Sequence, residues 1–279
     1  TGFEQGPNGV TVDAGGERHA ARAGILACRA NYSLHRRLGL GMPRTYLRSA
    51  QLEVPVARHG DVEVHFGSDV APQGFAWVVP VVRSTGTFAR IGLMGENDAA
   101  SCFRRFAARI DRSWGIGLPN VDRLVPRQKM LPLAPIDRTF ADRVLAVGDA
   151  AGIVKATTGG GIYYSMVSAS IAADVLAPAL RNSTLDASFL ERYQKLWQRQ
   201  LGEELDAQLT LREYAEQMDD EGIDGLFELA QTNGVMPIIR RTARFNQHRH
   251  LIVSLLKHAP ARRLLVKELA SRVVVSALR

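Results

Sequence analysis

The stretch Arg143-Val-Leu-Ala-Val-Gly148-Asp149-Ala150-Ala151-Gly152 decides the fold class of this chain. Its four apolar residues predict a short buried strand, and Gly148 permits a sharp turn where that strand ends. Asp149 is then left at the carboxyl edge of the sheet, where open α/β sheets bind their ligands. Its carboxylate can accept hydrogen bonds from a polyol, and the small residues that follow would let a flat ligand approach the backbone closely. The stretch therefore predicts a mixed α/β fold with a ligand site at the end of this strand.

A second motif, Thr157-Thr158-Gly159-Gly160-Gly161-Ile162, follows and opens a predicted helix over 162–180. A helix N-terminus presents unpaired N–H groups and the positive end of the helix dipole. Glycines at that position let those N–H groups touch a ligand without side-chain obstruction. Taken alone, either motif is better explained by ordinary turn formation or helix capping than by cofactor binding. Because the two occur in order along the chain, together they predict a cofactor site.

The rest of the chain divides into sheet and helix segments. Two strands are predicted first, at 9–13 and 20–28, the second buried at its end. Alternation then predicts an antiparallel sheet of about four strands, and a helix with one apolar face follows. The bounds of these strands are 52–56, 62–66, 75–82 and 88–94, the helix spans 97–114, and its apolar face carries Phe103, Phe106, Ala107 and Ile110. Prolines between 119 and 135 predict an extended loop. From 188 the pattern is helical, with predicted breaks at Gly222, Gly225, Gly234 and Pro237.

Composition narrows the classes of function. The chain has 279 residues, of which 46% are hydrophobic and 23% charged, as in an ordinary globular protein. Its net charge of +7 comes from scattered basic residues without interleaved aromatics, which favours a solvated basic surface and no nucleic-acid partner. Cys28 and Cys102 lie far apart in no metal-ligand spacing, so we expect no metal site, no disulfide framework and a reducing cytoplasm. No uninterrupted apolar window long enough for a membrane span occurs.

Four segments resemble a known family. The run Asp142–Ala173 resembles the second FAD-binding motif of the geranylgeranyl reductase family, within the larger group of aromatic-hydroxylase-like flavoproteins. Ala27–Leu40 is similar to the strand-to-loop segment of that family, although Arg29 stands where the family has glycine and Cys28 where aspartate is common. Gly74–Pro80 (Gly-Phe-Ala-Trp-Val-Val-Pro) and Phe245–Arg249 (Phe-Asn-Gln-His-Arg) are similar to two further elements, in the family's order.

The resemblance implies an α/β (α+β mixed) fold. It combines a partial FAD-binding Rossmann-like domain with an inserted antiparallel-sheet substrate domain and a helical carboxy-terminal tail. The predicted bounds are 1–48 and 120–182 for the FAD-binding domain, 49–119 for the substrate domain and 183–279 for the helical region. The amino-terminal βαβ unit of the family, with its GxGxxG phosphate loop, has no counterpart in this sequence. We therefore expect an amino-terminally truncated family member with weak affinity for FAD.

FAD is the cofactor that the resemblance implies. The residues predicted to contact it are Gly148, Asp149, Ala150, Ala151, Gly152, Thr158, Gly159, Gly160, Gly161 and Ile162. Phe75, Trp77 and Pro80 are predicted to line a pocket for an isoprenoid chain; the alternative is that they fill the core between sheet and helices. The sequence identifies no catalytic residue.

The resemblance implies an FAD-dependent oxidoreductase that reduces carbon–carbon double bonds of geranylgeranyl or other polyprenyl groups. The substrate would be a polyprenyl lipid or diphosphate, and the electron donor NAD(P)H or a ferredoxin-type protein. One alternative is a flavin monooxygenase or halogenase, because that group shares the Gly-Asp motif. Another is a non-catalytic lipid-binding remnant, because the phosphate loop is absent. We expect a cytoplasmic protein with peripheral membrane contact, for which 250–256 and the following arginine pair are candidates.

Overall fold

A computed structural model describes residues 2–57, 60–96, 98–118, 120–232 and 234–263. The end of the predicted helical region, 264–279, lies outside the described residues. The chain divides into two compact units. Unit 1 comprises Thr1–Tyr46, Pro132–Thr210 and Phe245–Arg249; unit 2 comprises Leu47–Leu131, Leu211–Arg244 and His250–Arg279.

The described residues contain both helices and strands in a mixed order, which confirms the predicted α/β class. The strands are β1 (Gly2–Gly6), β2 (Gly9–Ala14), β3 (Glu17–Ala21), β4 (Gly24–Leu26), β5 (Tyr46–Pro55), β6 (Glu63–His65), β7 (Phe75–Arg83), β8 (Gly86–Gly95), β9 (Arg127–Pro132), β10 (Phe140–Ala141) and β11 (Val144–Ala146). The α-helices are α1 (Ala99–Trp114), α2 (Ile162–Asn182), α3 (Ala187–Glu216), α4 (Asp220–Thr232), α5 (Val235–Thr242) and α6 (Arg249–Lys257). Short 3₁₀ turns cover Val121–Arg123 and Gly148–Ala151.

Unit 1 contains two small sheets. The first is the antiparallel meander β1-β2-β3. In the second, with strand order β10-β11-β4, β11 runs parallel to β4 and pairs Val144 with Gly24 and Ala146 with Leu26. All three residues of β11 are buried, as the apolar run predicts. α2 and the first part of α3 contribute Tyr164, Leu176 and Tyr193 to the same core.

The predicted strand at 20–28 is wrong in one respect. The structure divides it between β3, which ends at Ala21 in the first sheet, and β4, which begins at Gly24 in the second. β4 is an edge strand, so Ile25 is 50% exposed and only Leu26 is buried. The turn between them lies at Arg22-Ala23, residue types that carry no turn signal in sequence.

Unit 2 is built on a five-stranded sheet of order β6-β7-β8-β5-β9. The four strands predicted at hairpin spacing are present, and β9 adds a fifth in the proline-rich region that was predicted to be a loop. α1 packs on this sheet with its predicted apolar face buried. The side chain of Asp98 accepts from the backbone N–H groups of Ala100 and Ser101, and Gly115 ends the helix in a left-handed conformation.

Two predictions about the helices need comment. Gly222 and Gly225 do not break the chain but lie in the first half of α4, because the Asp219 carboxylate accepts from the backbone N–H of Gly222 and caps that helix. α2 is, by length and composition, apolar enough to cross a membrane, with a mean hydropathy of 1.2 over its most apolar window. Part of that window, 39%, is buried inside the protein, and core helices meet the same criterion.

Candidate cofactor site in unit 1

Gly148 turns the chain sharply at the end of β11. Its φ of +56° lies in the left-handed region that favours glycine, and a Cβ there would come within 2.8 Å of the Ser165 Cβ. The backbone N–H of Gly148 donates to the Ser168 hydroxyl at 3.0 Å. Both serines belong to α2, so the turn is fitted directly against the helix that follows the glycine motif.

The backbone after Gly148 is held from the side by two residues of the 32–35 loop. The Tyr32 hydroxyl donates to the carbonyl oxygen of Asp149 at 2.6 Å, and the His35 Nε2 lies 2.6 Å from the carbonyl oxygen of Ala150. Burial raises the pKa of the Tyr32 hydroxyl and lowers the pKa of the His35 imidazole. Both side chains are therefore neutral anchors, and they fix the backbone that carries the Asp149 carboxylate.

Three residues predicted to contact a cofactor have a packing role in the structure. Ala150 and Ala151 have no exposed surface, and a Cβ at Gly152 would lie 2.2 Å from the carbonyl oxygen of Ala134. Gly152 is thus required by the close approach of another backbone segment, in addition to its left-handed φ of +67°. The predicted contact of these residues with a cofactor stays a prediction.

The carboxylate of Asp149 lies directly against the N-terminus of α2. A Cβ built on Gly161, the N-cap residue, would be only 2.4 Å from the Asp149 Oδ1. Gly161, the N-cap residue, has no side chain with which to cap this helix, and Ile162 in its first turn is 82% exposed. The tip thus offers N–H groups beside a half-exposed carboxylate. An acceptor for ribityl hydroxyls beside donors for a ring edge is the set of groups that a flavin requires.

The loop before α2 closes on itself around Lys155. The backbone N–H of Lys155 donates to the carbonyl oxygen of Gly160 at 3.1 Å, and that of Gly159 donates to the carbonyl oxygen of Lys155 at 2.8 Å. Gly159 has a φ of +67°, which glycine adopts without strain. Thr158, also predicted as a contact residue, lies exposed at the outer end of the loop. The glycines therefore shape a compact turn that leads into the helix.

A segment far along the sequence, Phe245–Arg249, packs against this turn within unit 1. The Lys155 ammonium donates to the carbonyl oxygen of Phe245 at 2.8 Å, and the Thr157 hydroxyl lies 2.9 Å from the His248 Nδ1. The Tyr164 hydroxyl donates to the carbonyl oxygen of Asn246 at 2.8 Å. The start of α2 and the turn before it are therefore tied to Phe245–Arg249 at three points.

Burial sets the protonation preferences of these groups. It lowers the pKa of the Lys155 ammonium and raises the pKa of the Tyr164 hydroxyl to about 12. Burial, followed by the neighbouring Lys155 charge, lowers the pKa of His248. His248 therefore favours the neutral form, in which one ring nitrogen can accept from Thr157.

Arg29 has a backbone conformation that explains its place in the family motif. Its φ of +57° is in the left-handed region, where a non-glycine residue is strained by about 1–2 kcal/mol. Glycine is the residue that meets no penalty there, which is the physical reason for the glycine of the family pattern. The Arg29 side chain is exposed.

Unit 2 carries a row of four aromatic rings. Phe75 and Trp77 point to the same face of β7, with ring centroids 5.7 Å apart, while Ala76 and Val78 are buried on the opposite face against α1. Phe66 extends the row, 5.9 Å from Phe75 and 5.6 Å from Phe227. The indole of Trp77 lies over Gly92, where a Cβ would come within 2.5 Å of it.

The structure separates the three residues predicted to line a substrate pocket, whose contact with a substrate stays a prediction. Alternation along β7 places Pro80 on the face opposite to Phe75 and Trp77, so the structure does not bring these three residues together. Phe66 and Phe227 join the row instead, and they are 42% and 51% exposed. Phe66 ends a predicted strand and could have been suspected, whereas nothing in sequence links Phe227 to it.

Comparisons with known proteins agree with this geometry. Residues 99–229 match a family model described as lycopene cyclase protein. Digeranylgeranylglycerophospholipid reductase 2 of Methanothermobacter thermautotrophicus is 35% identical over 172 residues, which cover 59% of this chain and 42% of that protein. A geranylgeranyl bacteriochlorophyll reductase-like protein of Thermoplasma acidophilum has a similar structure, with a TM-score of 0.74 at 17% identity, over 97% of this chain and 68% of that one. The halogenase PltM in complex with FAD has a TM-score of 0.54 at 15% identity, over 95% and 57%.

The fold is thus that of the flavin-dependent reductases and halogenases, and the strand–turn–helix site agrees with that class. The chain is thus similar to geranylgeranyl reductase-like proteins in both sequence and fold. It spans about 42% of the length of two archaeal reductases that it matches, one from Methanothermobacter thermautotrophicus and one from Methanocaldococcus jannaschii.

Proposed function

We propose that this chain is part of an FAD-dependent reductase that saturates carbon–carbon double bonds in geranylgeranyl or related polyprenyl groups. The observation that carries the proposal is the approach of the Asp149 carboxylate to Gly161, the N-cap residue of α2. The relatives named as reductases of a digeranylgeranyl phospholipid supply the substrate class.

In this proposal Asp149 accepts hydrogen bonds from the ribityl hydroxyls of FAD. The N–H groups at the start of α2 would hold the pyrimidine edge of the ring, and the positive end of the helix dipole would stabilise negative charge there. Bound FAD supplies the hydride chemistry, and the protein supplies position and electrostatics. Tyr32 and His35 hold the backbone of Asp149 and Ala150, so the carboxylate is oriented before any ligand binds.

The aromatic row of Phe66, Phe75, Trp77 and Phe227 is the proposed surface for the prenyl chain. Its rings are partly exposed, and Val64 of β6, which pairs with Trp77, is 51% exposed beside them. Such a surface suits an isoprenoid better than a polar substrate. The prenyl chain would be carried by a lipid headgroup or a diphosphate. As an anion, this group would be attracted to a protein of net charge +7. Peripheral contact with a membrane and a cytoplasmic location belong to the same proposal.

Two measurements test the proposed function. The first is FAD binding, followed by flavin fluorescence, for the wild-type chain and for Asp149→Ala. Loss of hydrogen bonds to a charged acceptor should weaken binding about tenfold or more. Asp174→Ala, on the exposed side of α2, is the matched control and should bind as the wild type does. Equal binding by wild type and Asp149→Ala would contradict the assignment of the carboxylate.

The second measurement is of the reaction. The chain is incubated with FAD, a chemical reductant and a geranylgeranyl lipid, and the products are analysed by mass spectrometry for the addition of one H₂ per reduced double bond. Oxygen-dependent consumption of NAD(P)H with an aromatic substrate, and no saturation of the lipid, would instead favour the monooxygenase or halogenase alternative. Binding of the prenyl lipid without any binding of FAD would favour the non-catalytic alternative.

A further inference from the structure

Lys155 has an unusual environment for a lysine. It is only 4% exposed, and its Nζ donates to the carbonyl oxygen of Phe245 at 2.8 Å. The same Nζ lies 4.0 Å from the centroid of the Phe245 ring, a cation–π distance. Among the described residues, no carboxylate forms an ion pair with it, and burial is the cause that lowers its pKa. Burying a lysine side chain costs free energy of desolvation. A lysine at this position without a carboxylate partner therefore requires a reason beyond core packing.

The side chain of Lys155 runs beside the glycine turn. A Cβ at Gly160 would lie 2.7 Å from the Lys155 Cε and 3.3 Å from its Nζ. The ammonium is therefore within a few ångströms of the backbone that leads into α2. It adds a full positive charge to the partial charge of the helix N-terminus.

Further links hold Phe245–Arg249 in place, including an ion pair of Arg249 with Glu203 at 3.1 Å. Tyr164 donates to the carbonyl oxygen of Asn246, and His248 contacts the Thr157 hydroxyl. The Glu204 carboxylate accepts from the backbone N–H groups of His248 and Arg249. Lys155 supplies the link at Phe245, the start of the segment, where the ring itself is 85% exposed. Because Phe245 is exposed, burial does little to fix its position. We therefore expect the hydrogen bond from Lys155 to contribute most to holding this end of the segment.

We propose that Lys155 is a positioning residue of the candidate cofactor site, tying Phe245–Arg249 to the glycine turn and placing a positive charge beside the ring edge of a reduced flavin. Only the placement of a positive charge beside a flavin rests on the proposed function. The tie between Phe245–Arg249 and the glycine turn concerns the chain without cofactor and is tested separately.

The first test is amide hydrogen exchange of the chain without FAD. Lys155→Met keeps an apolar stem and removes the donor to Phe245, so the amides of His248, Arg249 and Gly159 should exchange about tenfold faster. The Ala146 amide, bonded to the Thr139 carbonyl oxygen within the sheet, should change less than about twofold. Lys195→Met, which removes an exposed lysine of α3, is the control and should leave all four amides unchanged. Unchanged exchange in Lys155→Met would overturn the positioning role.

Lys155→Gln separates the hydrogen bond from the charge. The amide can still donate to the Phe245 carbonyl oxygen, so exchange should stay near the wild-type rate while the charge is lost; rapid exchange in this variant as well would overturn the assignment of the link to that hydrogen bond. It also serves as the second variant should Lys155→Met fail to fold.

The second test is the midpoint potential of bound FAD, which a purely structural role would not move. Lys155→Gln should weaken the binding of reduced flavin about tenfold more than the binding of oxidised flavin. This difference lowers the midpoint potential by about 30 mV for a two-electron couple. Lys155→Arg should restore the potential because it keeps the charge. A potential that is the same in wild type and Lys155→Gln would overturn the electrostatic part. If the wild-type chain binds no FAD, the proposed function fails, and the exchange result still decides the positioning role.

Discussion

Gly161→Ala tests the contact on which the candidate site depends. The backbone at Gly161 has φ −101° and ψ −19°, which alanine adopts without strain. The new Cβ would meet the Asp149 Oδ1 at 2.4 Å, the Val154 Cγ1 at 3.3 Å and the Asp149 Cγ at 3.5 Å. The carboxylate is therefore the main obstruction. It ends a short, partly exposed side chain, and we expect a cost near the low end of overpacking, about 1 kcal/mol in the free energy of unfolding.

A double-mutant cycle in urea denaturation isolates this contact. In the Asp149→Ala background the obstruction is gone, so Gly161→Ala should cost less than about 0.3 kcal/mol there, which gives a coupling free energy of about 0.7 kcal/mol or more. Gly202→Ala is the control, because nothing lies within 4 Å of a Cβ at this α3 position. It should stabilise the chain by up to about 1 kcal/mol in both backgrounds.

FAD binding supplies the functional side of the same prediction. Displacement of the carboxylate in Gly161→Ala should weaken FAD binding by about tenfold, comparable to the loss of one charge-assisted hydrogen bond. Equal costs of Gly161→Ala with and without Asp149 would refute the reasoning, since the two groups would then not touch.

Three further predictions concern other parts of the two units. Arg29→Gly should raise the free energy of unfolding by about 1 kcal/mol, because glycine removes the left-handed strain at that position; Arg36→Gly, at an exposed position outside the left-handed region, should bring no gain. Burial lowers the pKa of His35 in the folded state, so the unfolded chain binds the proton more tightly and stability should fall as pH drops below about 6.5. His35→Gln keeps a donor but cannot titrate, and urea titrations should show a shallower pH slope; an unchanged slope would contradict the assignment. Gly92→Val should displace the indole of Trp77, shift tryptophan fluorescence and cost about 1–3 kcal/mol, and the fluorescence shift should vanish in a Trp77→Phe background.

Much of the site could be predicted from local sequence because its parts are local. The burial of β11, the left-handed turn at Gly148 and the start of α2 at Ile162 follow from an apolar run, a glycine and a glycine-rich helix start. The apolar face of α1 follows from its helical period. Each of these depends on residues within a few positions of one another, where backbone preference and the period of burial are sufficient.

Other expectations failed where neighbouring elements decide the outcome. β9 forms in a proline-rich stretch because it lies at the edge of the five-stranded sheet, where a missing N–H need not cost a bond. The break within 20–28 depends on pairing with two different sheets. The packing of Ala150 and Ala151 depends on the loops that cover them, and their small size could not distinguish contact with a ligand from contact with protein.

The sequence by itself determined that this chain has a strand–turn–helix motif of the flavoprotein type, since glycine conformations and periodic apolar residues are local properties. Tertiary structure alone decided that Asp149 touches the tip of α2, that Lys155 reaches Phe245, and that Phe227 joins Phe66. These contacts depend on how separate helices, strands and loops pack together within each unit. The type of a side chain does not reveal which other residue it will meet.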